Sequence, residues 1–382
     1  MPWQETEPML ERRKFITEYL AGLYTMSELC ARYGISRKSG YKWLARFDEE
    51  GSQGLRDRPR IARTCPHRLE EKVAAAILEA RRLHPHWGPR KLLDWLHPRQ
   101  PELDLPAPST AGALLSRKGL VLKSRRRHRW RHPGQPIRQP AAPNELWTAD
   151  FKGQFRTRDG ASCYPLTIAD QHSRYLLRCQ ALGSTRTEEA RPVFERLFAE
   201  LGLPQAIRTD NGVPFASIGI HGLCSLNVWW IRLGIEHQRI QPSHPEQNGA
   251  HERMHRTLKA HTTRPPAATR RMQQRLFDRF RQEYNDERPH EALGGRAPAA
   301  VWCPPSRPYP RRLPEPVYPG HHLVRLVSNA GTFRFKSRQI FLSQALKQAW
   351  IGLEEIDDGL WALYFYNVQL ARLQERDFKL YA

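Results

Sequence analysis

Three carboxylates in this sequence occupy positions that structural roles explain poorly. Asp150 closes the apolar run "LWTAD" and precedes Phe151, which puts a charge inside or at the end of a core strand, where leaving it unpaired is costly. Asp210 closes "AIRTD" and precedes Asn211 and Gly212, a turn at the carboxyl end of a strand, where open α/β sheets build ligand sites. Glu252 follows the Asn248-Gly249 break and faces out from the first turn or two of a helix. Gathered in one place, the three make a hard-oxygen site for Mg²⁺, with Mn²⁺ as a substitute. Two ions about 3.5 to 4 Å apart would stabilise both the attacking and the leaving oxygen of an in-line displacement at phosphorus. Arg256 and Lys259 lie four and seven residues beyond Glu252, so they share its helical face and can reach phosphates beside the ions. Each acid also has a plain use: Asp150 could pair with an arginine, Asp210 could hold a turn, and Glu252 could cap its helix.

The elements that must carry these residues follow from periodicity. "NELWTADFKGQF" and "SCYPLTIADQHSRYLLRCQAL" read as strands, "RTEEARPVFERLFAELGLP" as an amphipathic helix with Val193, Phe194, Leu197, Phe198 and Leu201 on one side, and "QAIRTDNG" as a short strand ending in a turn. Strands alternating with helices predict an α/β core. Upstream, Phe15, Tyr19, Leu20 and Leu23 have helical spacing, a short helix runs from about Ser27 to Tyr33, Gly34 breaks it, and Ser36 can cap a third helix. In that helix Tyr41 and Leu44 should face inward while Arg37, Lys38 and Lys42 stay exposed, a helix-turn-helix pattern whose second helix would read the major groove. Gly40 inside it carries a propensity cost of about 1 kcal/mol. A second three-helix unit follows, with Ser109 as a possible cap and Gly119 as a stop. Seven prolines between Pro304 and Pro319 make a stiff spacer, and the short alternating runs after it predict a small all-β barrel or sandwich. The expected division is 1–56 and 66–122 for two helix-turn-helix domains, 123–143 for a basic linker, 144–303 for the catalytic domain, 304–319 for the spacer and 320–382 for the β domain.

Charge names the partner. The 382 residues hold 61 Lys and Arg against 39 Asp and Glu, a net +22, which favours a polyanion, DNA first. No acid occurs between Leu105 and Asn144, a stretch containing Arg125, Arg126 and Arg127, so it reads as a phosphate-tracking segment. The six cysteines lack any paired spacing, which fits a reducing cytosol and gives no zinc pattern. Neither an export leader nor a membrane span is legible.

The strings "LWTADF", "IRTDNGVPF", "SHPEQNGAHERMHRTLK" and "YNDERPHEALGGRAPAAVW", in that order, resemble the catalytic core of DDE transposases of bacterial insertion sequences, the group whose core is similar to retroviral integrase. The paired helix-turn-helix units and β-rich tail resemble that group's layout too. The resemblance implies an RNase H-like core, a mixed sheet flanked by helices, in which Asp150, Asp210 and Glu252 bind two Mg²⁺ ions. It further implies binding of terminal inverted repeats, hydrolysis of the phosphodiester at the 3′ ends and joining to target DNA, by a dimer or tetramer in the bacterial cytoplasm, associated with the nucleoid. Tyr284, Asn285, Arg288, Pro289 and His290 would pack and support the end of the core. Such families commonly leave 35 residues between the second Asp and the Glu, a count that here lands on Glu246, whereas Glu252 requires 41. Glu252 is preferred because it stands three residues after Asn-Gly, and because "FASIGIHGLCSLNVWW" looks like a lengthened loop. The alternatives are a sequence-specific DNA-binding regulator, which needs no triad, and an RNase H-like nuclease that cuts without joining.

Overall fold

A computed structural model describes residues 7–58, 69–121, 140–217, 222–240 and 249–381. Arg125, Arg126, Arg127 and Glu246 lie outside the described residues. The chain forms two compact units, Met1–Arg68 and Leu69–Ala382.

The first unit packs α1 (Pro8–Leu20), α2 (Met26–Arg32) and α3 (Arg37–Glu50) around Phe15, Ile16, Met26, Leu29, Cys30 and Leu55. Thr25 and Glu28 cap α2 reciprocally, the Thr25 amide donating to Glu28 Oε2 at 2.8 Å. Ser36 caps α3 as its spacing predicts, its hydroxyl accepting from the Ser39 amide at 3.2 Å. One inward assignment is corrected: Tyr41 is exposed, because the inner stripe of α3 runs through Gly40, Leu44 and Phe47, one position out of phase with it; Leu20 and Leu23 are exposed too, since α1 ends at Leu20. Gly40 is the residue that lets α3 approach. A Cβ there would stand 2.7 Å from Cys30 Sγ, 2.8 Å from Met26 Sδ and 3.0 Å from the tip of Phe15. Gly40→Val should therefore destabilise this unit by about 1 to 3 kcal/mol through overpacking, read as faster amide exchange in α3 with no change in exchange from the catalytic sheet. Unchanged exchange in α3 would sink that account.

The second unit opens with α4 (Glu71–Leu83), α5 (Pro89–Leu96) and α6 (Pro108–Arg117), which bury Ile77, Trp87, Leu92, Leu96, Ala111 and Leu115. Ser109 is not the cap of α6. It lies within the helix, which Pro108 starts with its preset φ and Ala107 precedes without a side-chain cap. Gly119, at φ +70°, does stop it, with the Leu120 amide returning to Leu115 O. The helices dock beside the core's last segments: Arg90 pairs with Glu291 at 2.7 Å, Lys91 donates to Pro289 O, and His84 Nδ1 lies 3.3 Å from Glu283 Oε1.

The core sheet is built from β1 (Leu146–Phe151), β2 (Phe155–Arg156), β3 (Ser162–Asp170), β4 (Leu176–Leu182), β5 (Ala206–Thr209) and β6 (Glu236–Arg239), with α7 (Thr187–Leu201) before β5 and α8 (Ser225–Arg232) before β6. β3 lies antiparallel between β1 and β4, while β1, β5 and β6 run parallel, so the sheet is mixed. Trp147, Ala149, Leu166 and Ile168 point to one face, against Phe194, Phe198 and Trp230 of α7 and α8. α9 (Gly249–Thr262) and α10 (Arg270–Asp286) cover the other face, where Met254, Leu258, Phe277 and Phe280 pack on Cys163, Ala169, Leu176 and Cys179. Asn285 ties α10 to β4 through both backbone groups of Leu176, at 2.8 and 3.0 Å.

Part of the string read as a lengthened loop is α8. Buried from Leu226 to Ile231, that helix serves two cores: Leu226, Trp229 and Trp230 enter the catalytic one, while Val228 and Ile231 join Val327, Phe333, Phe365 and Leu370 of the C-terminal region. There β7 (Leu323–Leu326), β10 (Trp350–Asp357), β11 (Leu360–Phe365), β12 (Val368–Gln374) and β13 (Lys379–Tyr381) form a five-stranded antiparallel sheet. β8 (Thr332–Phe335) and β9 (Arg338–Phe341) pair as a separate hairpin.

Candidate active site

Register brings the first two acids together. In β1, Thr148 and Asp150 alternate with the buried Trp147 and Ala149, so they share the face covered by α9 and α10. Asp150 lies opposite Thr167 of β3, and the next strand, β5, runs parallel with Ala149 beside Thr209. Asp210, one residue past Thr209, therefore stands beside Asp150 at the same carboxyl edge. The electrostatics agree. Burial first, then the Asp210 charge and, more weakly, Glu252 push the Asp150 carboxyl up to about 7, against a backbone hydrogen bond from Phe151 and the charge of Lys152. Asp210 also holds its turn, accepting from the Gly212 amide at 3.2 Å.

α9 has two functional sides. His251, Met254, His255, Leu258 and Thr262 are buried, while Glu252, Arg256 and Lys259 are exposed along the opposite stripe, as their four- and seven-residue spacing predicts. The structure thus groups Asp150 and Asp210 at the strand ends and sets Glu252 near enough to act on Asp150. A half-buried carboxylate held against a second one is a repulsive arrangement that a hard divalent cation relieves, so these donors fit such an ion. Of the proposed DNA contacts, Arg37, Lys38 and Lys42 are exposed on α3, with Lys42 Nζ 4.8 Å from the Trp43 ring.

His251, beside Glu252 in this basic stretch, does not face the DNA side of α9 but the sheet, buried beneath the acids. Its Nδ1 lies 2.9 Å from Thr148 Oγ1 and its Nε2 2.6 Å from Thr167 Oγ1; His255 Nε2 also lies 2.6 Å from Thr167 Oγ1, and that hydroxyl donates to the carbonyl of Asp150 at 3.0 Å. Burial pushes His251 down to about 3 and, with help from His251 and Lys152, His255 further still, so both rings are neutral at ordinary pH. The signal was present: two histidines four apart, in phase with Met254 and Leu258, lie on the inner face of an amphipathic helix.

The integrase core domain family matches residues 140–245 and 233–298, which together span both aspartates, Glu252 and the sheet between them. Residues 140–298 thus match integrase core models from end to end. The helix-turn-helix domain family matches residues 11–63 and a homeodomain-like domain residues 39–115, upstream of that core. The chain is 25% identical over 239 residues, 61% of its length, to an uncharacterised 39.2 kDa protein of insertion element IS476 from Xanthomonas euvesicatoria. It is 27% identical over 161 residues, 42% of its length, to an uncharacterised 31.7 kDa protein of insertion element IS407 from Burkholderia multivorans. The matches span 65% and 56% of those relatives' own lengths. A Gag-Pol polyprotein of baboon endogenous virus is 26% identical over 51% of the chain and 11% of the polyprotein. Among solved structures, the HTLV-2 integrase catalytic core domain in complex with magnesium is 16% identical and covers 42% of this chain and 97% of its own, at a TM-score of 0.34. A simian T-cell lymphotropic virus intasome chain is 18% identical over 76% of this chain and 97% of its own, at 0.38. The chain thus resembles proteins of bacterial insertion elements, and matches integrase core and helix-turn-helix families along its length. No described helix is long and apolar enough to cross a membrane.

Proposed function

We propose that this chain is a DDE transposase that binds the terminal inverted repeats of its element, hydrolyses the phosphodiester at each 3′ end and joins the freed ends to target DNA. One observation carries the reading: Asp150 and Asp210 meet at the carboxyl edge of two parallel strands, with Glu252 on the helix above acting on the same carboxyl. Asp150 and Asp210 would hold divalent ions, two Mg²⁺ or Mn²⁺ per site, with Glu252 completing the second ion's shell. When bound, the ions supply charge stabilisation to both oxygens of an in-line displacement at phosphorus. The chain's own residues position the substrate: Arg256 and Lys259, exposed on the Glu252 stripe, steer the DNA end, and Arg37, Lys38 and Lys42 of α3 contact the repeat in its major groove. Arg125, Arg126 and Arg127 would add contacts to the phosphate backbone.

The sheet, with its order β4-β3-β1-β5-β6 and antiparallel β3, supports an RNase H-like core. The single apolar core shared by the C-terminal sheet and its hairpin supports a small barrel. Cutting two ends together calls for a dimer or tetramer on DNA, acting in the bacterial cytoplasm at the nucleoid. The test is transfer of a labelled terminal-repeat duplex into a plasmid with Mg²⁺. A transposase gives joined product, a nuclease gives cleavage alone, and a regulator gives binding alone; either of the last two outcomes ends this reading.

A further inference from the structure

Beneath the acids, a single hydroxyl decides the proton positions of two buried histidines. Thr167 Oγ1 has three partners within 3.0 Å, the carbonyl of Asp150 and the Nε2 atoms of His251 and His255, but only one hydrogen. A carbonyl can only accept, so the one assignment that satisfies all three sends the hydroxyl hydrogen to Asp150 O. Both Nε2 atoms must then donate. His251 uses its remaining nitrogen as well, with Nδ1 at 2.9 Å from the Thr148 hydroxyl. His255 does not: its Nδ1 carries a lone pair and stands 3.6 Å from Asp150 Oδ2. A lone pair facing a carboxylate oxygen is repulsive as it stands and becomes favourable when a cation lies between them. With bonds of about 2.1 Å to each donor, two ligands of one ion lie roughly 3 to 3.6 Å apart for angles between 90° and 120°.

The geometry points to His255 Nδ1 as a nitrogen ligand of the divalent ion at Asp150. The inference rests on the proposed metal reading of Asp150 and adds to it a donor of different chemistry. The arrangement has the form of a ligating histidine whose other nitrogen is fixed by an outer hydrogen bond, here Nε2–H to Thr167, a hydroxyl that in turn holds the Asp150 backbone. One threonine thereby orients the His255 ring and holds the backbone that carries Asp150. An imidazole in place of a water favours Mn²⁺ over Mg²⁺.

The test is Mn²⁺ bound to the full chain, followed by pulsed EPR and titration calorimetry in a Glu354→Gln background. That background disables His321, His322 and Glu354, a group remote from Asp150 whose ligand atoms lie close enough together to hold an ion. The expected result is a histidine-nitrogen coupling that disappears in both Asp150→Asn and His255→Asn, with Mn²⁺ affinity falling at least about tenfold in His255→Asn and Mg²⁺ affinity falling less. Isotopic labelling of histidine nitrogen in the otherwise intact chain must alter the coupling too, a readout that needs no folded His255 variant. Asp150-dependent Mn²⁺ binding without histidine coupling, or coupling that survives in folded His255→Asn, overturns the nitrogen ligand and leaves the carboxylate site standing. Mn²⁺ binding indifferent to Asp150→Asn overturns both, and so separates the two failures.

Discussion

Asp210→Asn is expected to abolish both 3′-end cleavage and strand transfer, by more than about 1,000-fold, while terminal-repeat binding stays within error of the parent. The amide oxygen can still accept from the Gly212 amide, so the turn after β5 survives the change. What the substitution removes is negative charge beside Asp150, at the point where the proposed reaction needs a cation held against phosphate. Uniformly weaker DNA binding would instead point to a folding or electrostatic defect. The measurement is a time course on a labelled repeat end, run beside a gel-shift titration at fixed salt, because phosphate contacts make affinity salt-dependent. Joining at the parent rate would remove Asp210 from the site.

The strands and their ends were legible because the apolar runs that stop at Asp150 and Asp210 obey the simplest rule of buried parallel strands. The outward stripe of Glu252, Arg256 and Lys259 was legible from helical spacing alone. The inward stripe has the same spacing, but what its histidines touch was not legible, since a histidine beside a glutamate in a basic protein also reads as a DNA contact until the helix is set on its sheet. Only then do His251 and His255 meet Thr148 and Thr167, residues separated from them by some eighty to a hundred positions. Tyr41 failed for a local reason: Gly40 took the close-contact position, and no propensity scale reports that a missing side chain is what the packing requires. α8 was hidden because a short helix serving two cores is apolar over most of its circumference, leaving only Ser225 and Arg232 exposed, so its amphipathic signature is faint.

Asp150→Asn should do more than stop the reaction. In a metal chelator it should make the second unit more stable, by up to about 4 kcal/mol near pH 8, with the gain vanishing near pH 4. The folded-state pKa of Asp150 is raised from the ordinary 3.8 to about 7, by burial first and then by Asp210. Below the ordinary value the carboxyl is neutral in both states, and nothing is lost. As pH climbs from there toward 7, the unfolded chain releases the proton while the folded chain keeps it, so stability drains away over that window. Above it the folded chain carries a charge that burial and Asp210 both oppose, and the full cost persists. An asparagine never ionises and escapes this cost at every pH, as expected where a site holds an arrangement that is unfavourable for folding but suited to its ligand. Added Mn²⁺ should then raise the melting temperature of the parent and not of the variant, narrowing the gap, because only the parent gains binding free energy in the folded state. Melts with chelator and with Mn²⁺, near pH 4, 6 and 8, check each part. A parent that is the more stable of the two near pH 8 in chelator would show that Asp150 is held by partners that favour its charge, and the cation would then have no repulsion to relieve.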